Sequence, residues 1–321
     1  MKLAYNVNAK PKDIGYGKML VFALQQMLAI LAATIAVPMI VGNGMSTSAA
    51  LFGAGVGTIV YLLFTKFRSP VFLGSSFAFI GSMQVAFAGA YASAVGGYAG
   101  LLVGAVFAGL VYVVIALVVK AAGVKWVNKL MPAVVVGPTV AIIGLSLAGN
   151  AVGDALHGIG AGNVMNLTGA LSLICALVTL GTVIVCSVYA KKTLKTIPFI
   201  IGILAGYALA TVFTLIGMAT DNSAMQLISW EGFKNMSWVP NFTFVKAFKG
   251  FKDLTGAYIG TIAVAYVPVA FVVFAEHLAD HKNISTIIEK DLLEDPGLDK
   301  TLLGDGVGSI AGAFFGGCPN T

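Results

Sequence analysis

Long, nearly uncharged apolar runs separated by short polar segments set the pattern of this chain. They lie near residues 18–41, 48–65, 70–90, 98–120, 130–149, 167–190, 196–219 and 257–280, with a shorter run near 302–317. A helix needs about 20 mostly apolar residues to cross a bilayer, so the pattern predicts about nine membrane helices. Two places break the helical rule. Pro70-Val71-Phe72-Leu73-Gly74-Ser75-Ser76-Phe77-Ala78-Phe79-Ile80-Gly81 is apolar overall but interrupted at Gly74, Ser75 and Ser76. Gly316-Gly317-Cys318-Pro319-Asn320-Thr321 interrupts the end of the last run. Unwound backbone at membrane depth is tolerated only where protein buries it or it lines a cavity. A pair of such segments in corresponding halves of a chain points to a transporter's binding site.

Composition agrees with the pattern. Of 321 residues, 58% are hydrophobic and 10% charged, against about 25% charged in an average soluble domain. The mean hydropathy is +0.93. The 39 glycines suit close helix packing in lipid, which gives no hydrophobic push between helices. The net charge of +6 raises nucleic acid as a partner, but the placement of the basic residues argues against it. With a cytoplasmic N-terminus, 15 of the 19 Lys and Arg fall on the inside, among them Lys66, Arg68, Lys120, Lys125, Lys129 and Lys290. The other four, Lys234, Lys246, Lys249 and Lys252, share one long connection, 220–256. That alternation sets an N-inside topology. Lys2, Lys10, Lys12 and Lys18 precede a first run too long for the core of a cleavable signal. Cys175, Cys186 and Cys318 form no metal-spaced cluster and read as small packed side chains.

The 220–256 connection interleaves Trp230, Phe233, Trp238, Phe242, Phe244, Phe248 and Phe251 with Lys and Asn. It reads equally as an interfacial segment on the outer headgroups and as an external loop with an aromatic belt. Glu276 and Asp280 stand out within Phe274-Ala275-Glu276-His277-Leu278-Ala279-Asp280-His281. Their spacing of four puts both carboxyls on one helix face. A carboxylate inside a membrane marks function by default, whereas hydropathy alone allows Glu276 to be a solvated charge at a helix end. His277 and His281 share the i, i+4 spacing of a zinc pair, but Leu278 stands where the zinc-protease motif has Glu, so no metal is expected. The acids from Glu289 to Asp299 read as a solvated cytoplasmic face.

Several of these stretches together resemble the nucleobase–cation symporters, also called the nucleobase–ascorbate transporters. Leu24-Gln25-Gln26-Met27-Leu28-Ala29 with Ala33-Thr34-Ile35-Ala36-Val37-Pro38 is similar to that family's first helix, and Gly74-Ser75-Ser76-Phe77-Ala78-Phe79-Ile80 to its broken third helix. Ala275-Glu276-His277 resembles the eighth, Lys290-Asp291-Leu292 with Asp295-Pro296-Gly297-Leu298 the connection after it, and Gly316-Gly317 with Pro319-Asn320-Thr321 the entry to the tenth. The resemblance runs from about residue 14 to the last. It implies an all-α polytopic membrane protein of fourteen spans in two inverted seven-helix repeats, divided into core and gate domains. Short antiparallel strands in broken helices 3 and 10 would meet at mid-membrane. Residues 1–321 would be one transport domain, with roughly 14–219 the first repeat and 257–321 the start of the second.

By that resemblance Glu276 lies near mid-membrane and binds the substrate. Phe77 contributes backbone to the base, and Ala33 is a small residue lining the pocket. Proton coupling falls to Glu276 and Asp280, the latter where some relatives have His. Gln26 stands where a His is common, with packing as good a role for it as binding. The Ala-Glu-His form is similar to the uracil branch. It implies import of uracil by proton symport and alternating access across the plasma membrane, with no enzyme activity and no cofactor. The expected partners are the nucleobase, the proton and the bilayer, with a homodimer left open. A xanthine/urate permease and a same-fold anion transporter are the alternatives. Family members continue past the position of Thr321 with a Tyr-Gly-Glu-Asn stretch, so the 321-residue chain alone is not expected to transport, and the strand around Phe77 is expected to lack its antiparallel partner.

Overall fold

The computed structural model describes residues 11–89, 94–156, 166–190, 198–229 and 239–321. Helices form where the apolar runs predict them. Those used below are α1 (Tyr16–Val41), α2 (Thr47–Phe64), α3 (Ile80–Ala88), α4 (Ala94–Ala122), α5 (Ala133–Ser146), α6 (Leu167–Tyr189), α7 (Pro198–Ala219), α8 (Thr243–Gly250), α9 (Gly256–Ile288) and α10 (Leu298–Gly316). Their starts are chemically marked. The side chains of Ser46, Asn166 and Thr255 each accept a hydrogen bond from an amide of the first turn that follows, at Ala49, Gly169 and Tyr258. An N-cap of this kind satisfies a donor that the helix itself leaves unpaired.

Among the described residues, α2, α4, α6, α7 and α9 are long and apolar enough to cross a membrane, five helices against the nine predicted. The others fall short for local reasons. The continuous apolar part of α1 is Gln26–Val41. The Gly-Ser-Ser interruption reduces the third run to a 3-10 turn, Phe77–Phe79, and the nine-residue α3. α5 has 14 residues, and α10 carries Asp299, Lys300 and Asp305.

The chain divides into two compact units, and each is described by itself. The first comprises Met1–Leu20, Ala33–Gly144 and Pro240–Thr321. Here α10 packs between α2 and α4, and α9 packs against α3 and α4. The α2–α10 contact depends on glycine. A Cβ at Gly57 would lie 2.8 Å from the Gly308 carbonyl oxygen, and one at Gly53 would collide with that of Gly312. Of the long 220–256 connection, Trp230, Phe233 and Trp238 lie outside the described residues. Its later part forms α8, whose Phe244 stacks on Phe314 at 4.9 Å, while Phe242 meets Phe52 and Phe315 edge-on. The second unit comprises Val21–Ala32 and Leu145–Val239, with α6 packed on α7.

Candidate functional site

The first unit assembles its site from α2, α9, α10 and the two interrupted segments. After a turn at Thr65–Phe67, the chain is non-helical from Arg68 to Ser76. Backbone polar groups of this segment and of Pro319–Thr321 are met by each other and by side chains of α2 and α10, as burial demands. Gly74 and Thr321 exchange backbone hydrogen bonds of 3.2 and 3.0 Å, and the Ser76 amide donates to the Pro319 carbonyl at 3.0 Å. The Thr58 hydroxyl of α2 accepts from the Leu73 amide at 3.0 Å. Ser309 of α10 accepts from the Asn320 amide at 3.0 Å, and the Asn320 carboxamide donates to the Gly53 carbonyl at 3.2 Å. Among the described residues the strands expected here are reduced to one isolated antiparallel bridge, Ser75 with Asn320. The expectation that this segment lacks a partner is corrected as well: Pro319–Thr321 supplies one, and Thr58 of α2 meets the Leu73 amide.

Glu276 and Asp280 share one face of α9, which runs on for three turns past Glu276 to Ile288. Glu276 is therefore not a helix-end charge. It is half-buried and Asp280 is exposed. Neither carboxyl makes a hydrogen bond or ion pair with a described residue, although Asp280 and Asp305 lie within electrostatic reach of Glu276. Phe77, the first residue of the 3-10 turn, is half-buried, as is Ala33 of α1. All three expected binding residues belong to the first unit. Gln26 is exposed and belongs to the second.

The face of α9 rotated by one residue is different, and sequence reasoning, having set a metal aside, gave it no role. His277 and His281 are buried and stack on each other with ring centroids 4.0 Å apart. His277 Nδ1 lies 2.7 Å from Asp305 Oδ2 and its Nε2 3.2 Å from the Thr301 hydroxyl, both on α10. His281 Nδ1 lies 2.8 Å from the His277 carbonyl. A carbonyl only accepts, so that nitrogen carries the proton. With the ring neutral, His281 Nε2 accepts from the Tyr61 hydroxyl at 2.8 Å, and Tyr61 accepts from Ser69 at 2.7 Å. The Tyr112 ring meets His277 edge-on. Asp305 Oδ1 and the Tyr112 hydroxyl pair with no described protein group. Both residues line a cavity of about 10 Å³, together with Phe79, Ser309, Asn320 and Thr321, which is room for roughly one water. Ala33, Phe77 and Glu276 do not line it. The signal that could have found Asp305 is a lone acid inside a glycine-rich apolar run. Among the described residues no group of three metal-binding side chains occurs.

Below this cluster, the acidic stretch after α9 does more than solvate a surface. Asp295 bridges Lys290 Nζ at 2.9 Å and Arg68 Nη1 at 3.0 Å. Those two cations hold its carboxyl below the usual carboxylate range, the Lys290 hydrogen bond first.

The chain has relatives among known proteins. The chain is 39% identical to the uracil permease of Bacillus caldolyticus over 95% of its length and 64% of the relative's. It is 37% identical to the uracil permease of Bacillus subtilis (strain 168), covering 94% of this chain and 63% of that one. With the uracil permease of Escherichia coli (strain K12) the identity is 32%, over 93% and 62% of the two chains. The chain thus spans somewhat less than two thirds of the length of these relatives. The family model described as Permease family matches residues 17–321. With that match over nearly the whole chain and five helices fit to span a bilayer, this chain belongs to the Permease family and is a mostly helical, multi-pass membrane protein.

Proposed function

We propose that this chain is part of a secondary transporter that imports uracil by proton symport. The observation that carries the reading is the half-buried Glu276 carboxyl, which no described protein group engages by hydrogen bond or ion pair, in a chain 32–39% identical to three named uracil permeases. A protonated carboxyl offers one donor and one acceptor side by side, the complement of a uracil edge that alternates N–H and C=O. Phe77 opens the turn that follows the interrupted segment, and its backbone is assigned to a carbonyl of the base; Ala33 leaves room for the ring. Asp280, one turn from Glu276 and exposed, is assigned to proton coupling. Protonation favours binding, and loss of the proton on the inner side favours release.

Alternating access needs two bodies, and the two compact units are the candidates. The inverted repeats, roughly 14–219 and from 257 onward, divide the sequence differently from the units: the first repeat contributes to both units, and residues 257–321 all belong to the first. The orientation proposed is N-terminus cytoplasmic, in the plasma membrane.

Uptake of labelled uracil by the full-length protein tests this. It is expected to follow an imposed pH gradient, and equal uptake driven by sodium at constant pH would overturn the proton assignment. Better competition by xanthine than by uracil moves the protein to the purine branch. Glu276→Gln keeps size and loses the ionisable donor; a loss of about ten- to a hundredfold in affinity is expected, on the order of 1.5–3 kcal/mol for a charge-capable hydrogen bond. Unchanged uracil affinity in that variant removes Glu276 from the site. Asp280→Asn is expected to bind normally and to lose the pH dependence of uptake.

A further inference from the structure

The two histidines that follow Glu276, His277 and His281, are in the wrong place to touch a substrate held by it. Successive residues on a helix point about 100° apart, and the face bearing His277 and His281 is sealed, with 6% and 1% of those residues exposed. Both rings are fully committed. His277 is held by Asp305 and Thr301 of α10. One turn on, His281 is held by Tyr61 of α2. Tyr61 in turn bonds Ser69, which stands immediately before Pro70 and the extended segment that pairs with Pro319–Thr321. The same helix is thus fixed at two successive levels to two different neighbours.

The geometry is sensitive to rotation. A helix with its side chains has a radius of about 5–6 Å, so a turn of roughly 20° about its axis carries a side-chain tip about 2 Å. Hydrogen bonds of 2.7 and 2.8 Å do not survive that displacement. Every group released would be left unsatisfied in a buried place, which is the costly outcome. Rotating α9 is also what would turn Glu276 and Asp280 toward or away from a ligand.

We infer that His277 and His281 are positioning residues: through Asp305 and Tyr61 they fix the rotation of α9 and so the direction in which Glu276 is presented to the base. The inference rests on the reading of Glu276 as the base-binding carboxyl.

Two measurements on the full-length protein test it. The first needs no ligand: with the three native cysteines replaced, the rate at which a maleimide labels Asp280→Cys reports the rotation of α9. That rate is expected to change severalfold when Tyr61→Phe or His281→Leu is added. The second is uracil affinity. His277→Leu and His281→Leu are each expected to weaken binding about tenfold. His277→Asn, whose amide can donate to Asp305 from near the position of Nδ1, is expected to restore most of that loss.

In a Glu276→Gln background, His281→Leu is expected to add less than about twofold, because residues acting as one unit are not additive. Unchanged labelling together with unchanged affinity would overturn the inference, as would a tenfold loss in both backgrounds, which describes a merely structural role. Should His277→Leu not fold, Tyr61→Phe and His281→Leu carry the test. Should the unmutated protein bind no uracil, the functional reading falls and the labelling rates alone decide the rotation.

Discussion

Two neighbouring residues, Arg68 and Ser69, join the region after α2 to the α9–α10 hairpin in opposite ways. Arg68 turns outward, with 57% of its side chain exposed, to pair with Asp295, itself 48% exposed. Ser69 turns inward, 1% exposed, and begins the hydrogen-bonded chain through Tyr61 to His281. The outer link is ionic and the inner one is neutral, yet the inner one is the stronger constraint. Water and salt screen the outer pair, so its formation and loss differ little in free energy. Inside, the alternative to each bond is a buried group with no partner. Burial, rather than charge, determines which of the two links can hold a helix in place.

The comparison depends first on the seat that brings α2 and α10 together. At Gly57 an added Cβ would lie 2.6 Å from the Asn320 carboxamide nitrogen and 2.8 Å from the Gly308 carbonyl oxygen. The second of these is backbone and cannot swing aside. Gly57→Val is therefore expected to have the largest effect, loss of folded protein, read as the monodisperse fraction in size-exclusion chromatography. A well-behaved Gly57→Val protein would mean that the close approach of the two helices is dispensable.

The inner chain comes next. Tyr61→Phe removes one hydroxyl and strands two partners, His281 Nε2 and Ser69. The expected cost is about 1–3 kcal/mol of stability, measured as a lowered melting temperature in detergent. Ser69→Ala leaves the Tyr61–His281 bond intact, so its expected cost is smaller. A Ser69→Ala loss as large as that of Tyr61→Phe would place the weight of the chain at the loop rather than at α9.

Sequence and structure agree best where the physics is local. Apolar runs gave the helices, and the Gly-Ser-Ser interruption marked the extended segment, because both follow from neighbours along the chain. Glu276 was legible as a carboxyl in an apolar run, and its spacing from Asp280 fixed their shared face. Hydropathy alone ended α9 near Asp280, because the polar residues from Glu276 onward mimic a membrane-surface end; the family resemblance implied a helix running past the apolar run, and it continues to Ile288. The role of the histidines was hidden for a different reason. Their spacing raised only a metal pair, which Leu278 argued against, and only the third dimension brings in Asp305, 28 residues from His277, and Tyr61, 220 residues from His281. Asp295 read as one more solvated acid, and its partner Arg68 lies 227 residues before it.

The outer clasp supplies the smallest expected effect and the sharpest check on the comparison. Lys290 and Arg68 hold the Asp295 carboxyl below its ordinary range. A group whose folded value is depressed contributes stability above its unfolded value and loses it as pH falls through the folded one. The clasp is thus constant across neutral pH and disappears only in strong acid. Asp295→Asn removes the charge at every pH. At neutral pH its melting temperature is expected to stay within scatter of the unmutated protein, and uracil affinity to change by about twofold at most, as for exposed ion pairs generally. The small difference that remains should shrink in high salt and in acid, where the unmutated protein has lost the charge too. An Asp295→Asn protein as destabilised as Tyr61→Phe, and equally so at high salt, would show that the outer link constrains the hairpin as firmly as the buried one.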